Sequence, residues 1–281
     1  MSRYTLFGWL LRLGIIAAAA WVPVTSRASE QAKGFSPADP TSETVDVFAA
    51  IEKGQIAVQL IAKDANQCRL LITNATDRPL TVRLPDVLAG VPVMAQLQNP
   101  LQPQGRNRNQ RNPNASQPLS LPVPFNANAG PMNNNPLMNV PNRPNNQNNP
   151  WPLFNIAPEK TGQLRINSLC LEHGAPSPKP NLAYEIKPLE SVTDKAEVRE
   201  VSRMLGQGQI SQRAAQAAAW HLGNGLSWEQ LQADRVKLVF GGSHPRFSPQ
   251  DLAEAKKAVQ QAAERIKERE KTSQPALSST K

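Results

Sequence analysis

Apolar and polar residues alternate along two stretches of the chain, the pattern that half-buried strands of an antiparallel sheet produce. Turn-forming Asn, Asp and Pro residues separate these runs, as at 74–79. The spacing predicts an Ig-like antiparallel β-sandwich over residues 44–190. Its predicted strands are 55–61, 67–73, 80–84, 91–94, 151–156, 161–171 and 184–186.

Beyond Pro188 the apolar spacing changes from every second residue to the helical period. Ser227 and Gln230 have the spacing of a capping box, which marks the start of a helix. The pattern predicts a helical subdomain over residues 191–271, and the whole chain is therefore expected to be an α+β protein. Its predicted helices are 194–205, 212–222, 228–234 and a last one that starts at Ser248.

One long block between the two strand-rich stretches has a composition unsuited to folding. Residues 96–150 contain 16 Asn, 11 Pro and 7 Gln, with neither Asp nor Glu. Such a segment has too little apolar surface to offset the entropy lost on ordering, so we interpret it as a disordered insertion. The polar segment 29–43 is expected to be flexible, and the tail 272–281 to be disordered.

The N-terminus has the three parts of a secretory signal peptide. Arg3 and Arg12 precede or flank the apolar run 13–22, and the small residues Ser26 and Ala28 follow it. Arg12 shortens the apolar run to about half of the roughly 20 residues that a membrane-spanning helix needs. We therefore predict cleavage after Ala28, a periplasmic or secreted mature protein, and no transmembrane segment after cleavage.

The basic charge of the chain is spread out and does not form a patch. The net charge is +9, and three of the arginines lie within the first 28 residues. Since no basic run alternates with aromatic residues, nucleic acid is not expected as a partner. A basic exported protein is attracted to acidic surfaces, which favours an envelope polymer or a protein partner.

The two cysteines, Cys68 and Cys170, fall in the apolar phase of predicted strands and should face the core. An exported protein permits a disulfide between them, and two buried thiols are the alternative. Cys170 and His173 alone do not make a metal site, because neighbouring strand residues point to opposite faces. No catalytic group, metal or cofactor is predicted. A pocket that holds His173 or His221 beside a carboxylate would instead favour an enzyme.

Two short segments resemble the motifs of bacterial surface thioester domains, which join a Cys thiol to a Gln side chain and capture amines. The segments are Ser168-Leu169-Cys170-Leu171-Glu172-His173-Gly174 and Ala215-Gln216-Ala217-Ala218-Ala219-Trp220. The resemblance implies that Cys170 is the thiol and Gln216 the acyl donor. The alternative is that Gln216 is a polar position on an Ala-rich packing helix. Three further side chains are candidate interaction anchors, or else packing residues between helices: Trp220, His221 and Trp228.

The segments 170–174, 217–222 and 224–228 are similar to those of a family of exported proteins of unknown function from planctomycete-type bacteria. The resemblance implies export and this architecture, and no activity. We therefore expect a non-catalytic interaction or structural protein of the cell envelope, whose ligand the sequence does not indicate. The alternative is covalent surface adhesion through an internal thioester between Cys170 and Gln216.

Overall fold

The computed structural model describes residues 32–36, 42–93, 116–124 and 153–273. The strands are β1 Ala32–Lys33, β2 Glu43–Asp46, β3 Ile56–Ala62, β4 Gln67–Asn74, β5 Leu80–Arg83, β6 Val87–Pro92, β7 Leu119–Pro122, β8 Leu153–Ile156, β9 Thr161–Asn167, β10 Leu169–Cys170, β11 Tyr184–Pro188, β12 Arg235–Lys237 and β13 Ser243–Pro245. The helices are α1 Val47–Glu52, α2 Ala196–Gly206, α3 Gln212–Asn224, α4 Trp228–Ala233 and α5 Pro249–Ser273, with a 3-10 turn at Leu189–Ser191.

Eight strands form one large antiparallel sheet in the order β1-β9-β4-β3-β11-β6-β7-β10. The sheet curls into a half-barrel. As a result β7 and β9 approach each other, although four strands separate them in the hydrogen-bonding order. Burial alternates along β4, where Cys68, Leu70 and Ile72 face the core. The curl places β10, the last strand, at an open edge beside the C-terminal helices.

A second, three-stranded sheet has the order β2-β5-β8, with β2 parallel and β8 antiparallel to β5. Its residues Val82 and Phe154 belong to the same hydrophobic cluster as Leu70 of the large sheet and Ala218 of α3. The predicted α+β class is confirmed. The more specific prediction of an Ig-like sandwich is not confirmed, since the sheets have eight and three strands and the smaller one contains a parallel pair.

Part of the predicted disordered insertion is a central strand of the large sheet. Strand β7 lies within 96–150, pairs with β6 on one side and β10 on the other, and is buried at all four positions. The prediction of disorder was therefore wrong for residues 116–124. The Asn- and Pro-rich composition of the block hid a short apolar run in which Leu119, Leu121 and Val123 are fully or almost fully buried.

The segment predicted to be flexible, 29–43, is also held in part by the sheets. Ala32 pairs with Leu164 through β1, and the main chain of Ser36 bridges to Asn155. The ring of Phe35 lies where a side chain at Gly162 would be, and its centroid is 5.0 Å from that of Phe154. The prediction was wrong for residues 32–36, because one aromatic anchor fixes this short segment.

Helices α2, α3 and α5 pack on one another, and α2 and α3 cover the β6–β7–β10 end of the large sheet. The predicted inward residues Val198, Val201 and Leu205 are buried. The predicted capping box of Ser227 and Gln230 is present at the start of α4. The region predicted as a helical subdomain therefore shares its core with the strands.

A network of charged side chains connects the sheet to α2 and α5. The Glu200 carboxylate is 1% exposed and accepts hydrogen bonds from three arginines: Arg203 at 2.7 Å, Arg265 at 3.3 Å and Arg269 at 2.7 Å. Arg203 also pairs with Asp86, which precedes β6. Burial would raise the pKa of the Asp86 carboxyl, but the charges of Arg203 and Arg199 outweigh it and lower that pKa.

The other boundary predictions fall on residues outside the described ranges. These are the signal peptide 1–28, most of the insertion 96–150, and the tail from residue 274 onwards. Within the described part of the chain, no helix combines the length and apolar character needed to cross a membrane.

Candidate functional site

The outer edge of β10 is covered by amide side chains from α3. Gln216 accepts a hydrogen bond from the Cys170 N–H through Oε1 and donates to the Cys170 carbonyl through Nε2, both at 2.9 Å. One turn earlier, Gln212 Nε2 donates to the Ser168 carbonyl at 2.7 Å. Residues four apart lie on one helix face, so the two glutamines bond to the strand edge as a neighbouring strand would. An uncovered edge strand has unpaired polar groups, and here α3 satisfies them.

The loop after β10 is held by two more amide side chains. Gln117, which is buried, accepts from the Glu172 N–H at 3.1 Å and donates to the Ala175 carbonyl at 3.3 Å. Asn224 accepts from the His173 N–H at 2.8 Å and donates to the Leu171 carbonyl at 3.0 Å. The position of His173 is therefore fixed from both the β7 side and the α3 side.

Asp234 is the point at which this loop meets the β12–β13 hairpin. Its Oδ2 lies 3.2 Å from His173 Nε2 and accepts a hydrogen bond from Arg246 Nε at 2.7 Å. The main-chain N–H of Arg246 also donates to the main-chain carbonyl of Asp234 at 3.0 Å, and this bond closes the base of the hairpin. The Asp234 side chain is 16% exposed, and Arg246 compensates its charge.

Trp220 lies between these groups and is almost completely buried. The Arg246 guanidinium carbon lies over its ring, 5.4 Å from the centroid. His173 and Phe247 meet the ring edge-to-face, with centroid distances of 4.6 and 5.9 Å. A ring enclosed in this way cannot stack on a sugar, so Trp220 is a packing residue that also positions Arg246 and His173.

These residues line a cavity of about 590 Å³ between the sheet edge, α3 and the hairpin. Its charged and titratable lining residues are Cys170, His173, Arg213, Asp234, His244 and Arg246. The volume is in the range of small-molecule sites. Two buried polar atoms of the lining have no hydrogen-bond partner, Gln212 Oε1 and Trp220 Nε1. Buried polar groups are normally paired, so these two atoms are exceptions among the residues of the lining.

Both predicted inward cysteines are buried, with Cys68 1% and Cys170 3% exposed. They are free thiols, and Cys170 Sγ lies 3.8 Å from the Ala65 carbonyl oxygen. Burial raises the pKa of Cys68 to about 11. Burial also raises the pKa of Cys170 to about 12, and the nearby Cys68 adds to that shift. The two thiols belong to the same hydrophobic cluster, and the disulfide between them stays a prediction.

The other two candidate anchors form a separate cluster. His221 stacks on Trp228 with ring centroids 4.1 Å apart, and its Nδ1 lies 2.7 Å from the Leu226 carbonyl. A carbonyl oxygen can only accept, so Nδ1 carries a proton there. Lys256 covers the Trp228 ring at 5.6 Å. Neither His221 nor Trp228 lines the cavity described above, and both serve the junction of α3, α4 and α5.

Cys170, His173 and Asp234 are the residue types of a nucleophile, a base and an orienting acid, and they line one cavity. A nucleophilic cysteine needs a lowered thiol pKa, whereas that of Cys170 is raised. The pocket that would favour an enzyme, with His173 beside a carboxylate, is therefore present, but its cysteine is not an activated thiol. In the residues that the structure describes, no three His, Cys, Asp or Glu side chains come together as a metal site would require.

Sequence reasoning did not identify Asp234, Arg246 or Gln117 as site residues. Asp234 and Arg246 are brought together by the hairpin between them, which has no motif of its own. Gln117 is one of the seven glutamines of the low-complexity block, and only the position of β7 distinguishes it. No protein-family model matches this chain, and no curated protein or solved structure is significantly similar to it.

Proposed function

We propose that the protein is a non-catalytic binding protein of the bacterial cell envelope, and that the cavity between β10, α3 and the hairpin binds a ligand with a carboxylate. The observation that carries this proposal is the charge of the lining. Two arginines, Arg213 and Arg246, are set against one carboxylate, Asp234. An arginine guanidinium matches the geometry of a carboxylate and binds it through two parallel hydrogen bonds.

Arg246 is the group best placed to recognise the ligand. Its Nε is committed to Asp234, and its plane rests on Trp220. Among the described residues, no hydrogen bond occupies either of its terminal nitrogens. Both terminal nitrogens of such a guanidinium can still donate hydrogen bonds, while the side chain has already lost most of its conformational freedom. A carboxylate therefore binds it at a small entropic cost.

The rest of the lining suits a polar ligand. The polar residues Asn66, Ser177 and Gln212 lie around the cavity, and the Trp220 indole N–H has no partner. Hydroxyl and acetamido groups are the natural partners of such a lining, because they both donate and accept hydrogen bonds. Acidic sugars and peptide ends of envelope polymers combine these groups with a carboxylate, which agrees with the proposed export of the chain.

A matched pair of sugars tests this proposal by calorimetric titration. N-Acetylmuramic acid has a carboxylate that N-acetylglucosamine lacks, and D-alanyl-D-alanine presents a carboxylate on a peptide. We expect a carboxylated probe to bind and N-acetylglucosamine to bind at least about tenfold more weakly, since a buried charge pair is worth several kcal/mol. The probe that binds, sugar or dipeptide, identifies the source of the carboxylate.

The matched variants are Arg246→Gln in the cavity and Arg78→Gln on the exposed turn between β4 and β5. Arg246→Gln should weaken binding of the carboxylated probe at least about tenfold, and Arg78→Gln should leave it unchanged because Arg78 is 74% exposed and pairs only with Asp77. If no carboxylated probe binds, or if both variants bind equally well, the proposal is wrong.

The second candidate function is covalent adhesion through a thioester between Cys170 and Gln216. The observation in its favour is that the two residues touch, with Gln216 Oε1 2.9 Å from the Cys170 nitrogen. To form the bond, Cys170 Sγ attacks the Gln216 side-chain carbonyl carbon, the thiol proton passes to the amide nitrogen, and ammonia leaves. Against it, the Gln216 amide is already bonded to the Cys170 main chain, and the raised pKa of Cys170 disfavours the thiolate.

Intact mass and alkylation separate the three states of the cysteines. We expect no loss of mass, and reaction of both thiols with iodoacetamide at least about tenfold slower in the folded than in the unfolded protein, because the thiolate is the reactive form. Loss of one ammonia, restored as a methylamine adduct, would establish the thioester instead. Loss of two hydrogens would establish the disulfide between Cys68 and Cys170.

A further inference from the structure

The tip of the β12–β13 hairpin exposes three consecutive apolar side chains. Leu238 is 51%, Val239 93% and Phe240 101% exposed. Among the described residues, one other large apolar side chain is exposed: Ile51, at 36%. A contiguous apolar group that is fully in water usually marks an interaction surface.

The exposure is built into the hairpin and does not come from a frayed end. Val236 pairs with His244, and the Leu238 N–H donates to the Gly242 carbonyl at 3.1 Å. Gly241 and Gly242 both have positive φ, 92° and 83°, which glycine adopts without strain. Arg235 donates to the hydroxyl and carbonyl of Ser243 at 2.9 and 3.1 Å. The strands therefore hold Val239 and Phe240 outwards.

The charge around the tip indicates what it contacts. The hairpin residues 235–245 contain Arg235 and Lys237 and no Asp or Glu, and Arg246, which follows them, is paired with Asp234. Apolar side chains followed closely by cations are the arrangement that binds the interface of an anionic bilayer, with the apolar groups at the acyl boundary and the cations at the headgroups. A second copy fits less well, because a symmetric contact would bring like charges together.

We propose that the hairpin tip Leu238–Phe240 inserts into the surface of a bilayer that contains anionic lipids. Lys237 and Arg235 then lie at the level of the headgroups. Because Val236 and His244 of the same hairpin also line the cavity, docking would place the cavity mouth at the membrane surface. The inference rests on the hairpin alone and does not depend on whether the cavity binds a carboxylate.

A fluorophore at the tip of the full chain tests this inference locally. Phe240→Cys, labelled with an environment-sensitive dye, is mixed with vesicles of phosphatidylglycerol and phosphatidylcholine. Ile51→Cys with the same label is the matched control, and the unsubstituted chain reports any labelling of Cys68 or Cys170. The apolar N-terminal stretch is present in every sample. The dye reports only the surroundings of the position to which it is attached, so the comparison of positions 240 and 51 is local.

We expect a blue shift at position 240 with the anionic vesicles, a much smaller one with pure phosphatidylcholine, and none at position 51. Lys237→Gln in the labelled protein should weaken vesicle binding about fivefold, as for the loss of one cation at an anionic surface. Lys53→Gln, directly after α1, should leave binding unchanged. No shift at 240, or equal shifts at 240 and 51, would overturn the proposal. A shift that grows with protein concentration in the absence of vesicles would assign the tip to a second copy of the chain.

Discussion

Arg203→Ala is expected to lower the free energy of unfolding by about 3–5 kcal/mol, the usual cost of removing one partner from a buried charge pair. Arg203 is 19% exposed and lies between Asp86, 13% exposed, and Glu200, 1% exposed. Its removal leaves two buried carboxylates with fewer partners, and it removes one of the two arginines, Arg199 and Arg203, through which α2 binds Asp86. Chemical unfolding monitored by circular dichroism measures the change.

The matched control is Arg213→Ala, which removes the same side chain from α3. Arg213 is 65% exposed and lies 3.9 Å from Asp251, so its loss should cost less than about 1 kcal/mol. A similar small loss in both variants would show that the charged network does not hold the helices to the sheet.

The same network has a signature in the pH dependence of stability. The pKa of Asp86 is lowered from its ordinary value of 3.8, because the charges of Arg203 and Arg199 outweigh its burial. A carboxyl group whose pKa is lowered by folding stabilises the folded protein at pH values above its ordinary pKa. This stabilisation is lost as the pH falls through the pKa of the folded state. The difference in stability between the unsubstituted protein and Arg203→Ala should therefore narrow below about pH 4.

Gln216→Leu is expected to lower the free energy of unfolding by about 2–4 kcal/mol. Leucine has a similar volume but no hydrogen-bonding group, so the N–H and carbonyl of Cys170 would both lose their partner beside α3. An unsatisfied buried polar group costs about 1–3 kcal/mol. The matched control is Gln232→Leu on the exposed face of α4, which should change stability by less than about 0.5 kcal/mol.

Hydrogen exchange at the Cys170 amide tests the same prediction at a single position. In the unsubstituted protein the Cys170 amide should be strongly protected, and in Gln216→Leu it should exchange much faster than the amides of β4. Equal protection in both proteins would mean that the edge of β10 is covered by something other than Gln216.

The sequence predicted the features that depend on local periodicity. Strands β3 and β4, the inward direction of Cys68, and the capping box at Ser227 all follow from residues within a few positions of one another. The helical spacing after Pro188 identified α2 and α3 for the same reason. A motif resemblance predicted that Cys170 and Gln216 lie together. In the structure the Gln216 side chain accepts a hydrogen bond from the main-chain N–H of Cys170.

Features that depend on distant contacts could not be read from the pattern. Strand β7 is ordered because β6 and β10 pair with its two sides, and its own flanks resemble disordered sequence. Asp234 acquires His173 and Arg246 as partners only through the folded hairpin. Sequence analysis did not single out Leu238–Phe240, and the structure shows that nothing among the described residues covers these side chains.

The central claim is that the cavity beside Trp220 is a binding site. It is tested most directly by following the indole N–H signals in a ¹H–¹⁵N spectrum while the carboxylated sugar or dipeptide is added. Trp220→Phe and Trp228→Phe assign the two signals. We expect the Trp220 signal to move and saturate, because Trp220 lines the cavity and Arg246 covers its ring, while the signal of Trp228, outside the cavity, stays in place. A Trp220 signal that does not respond, or a response of Trp228 alone, would contradict the claim.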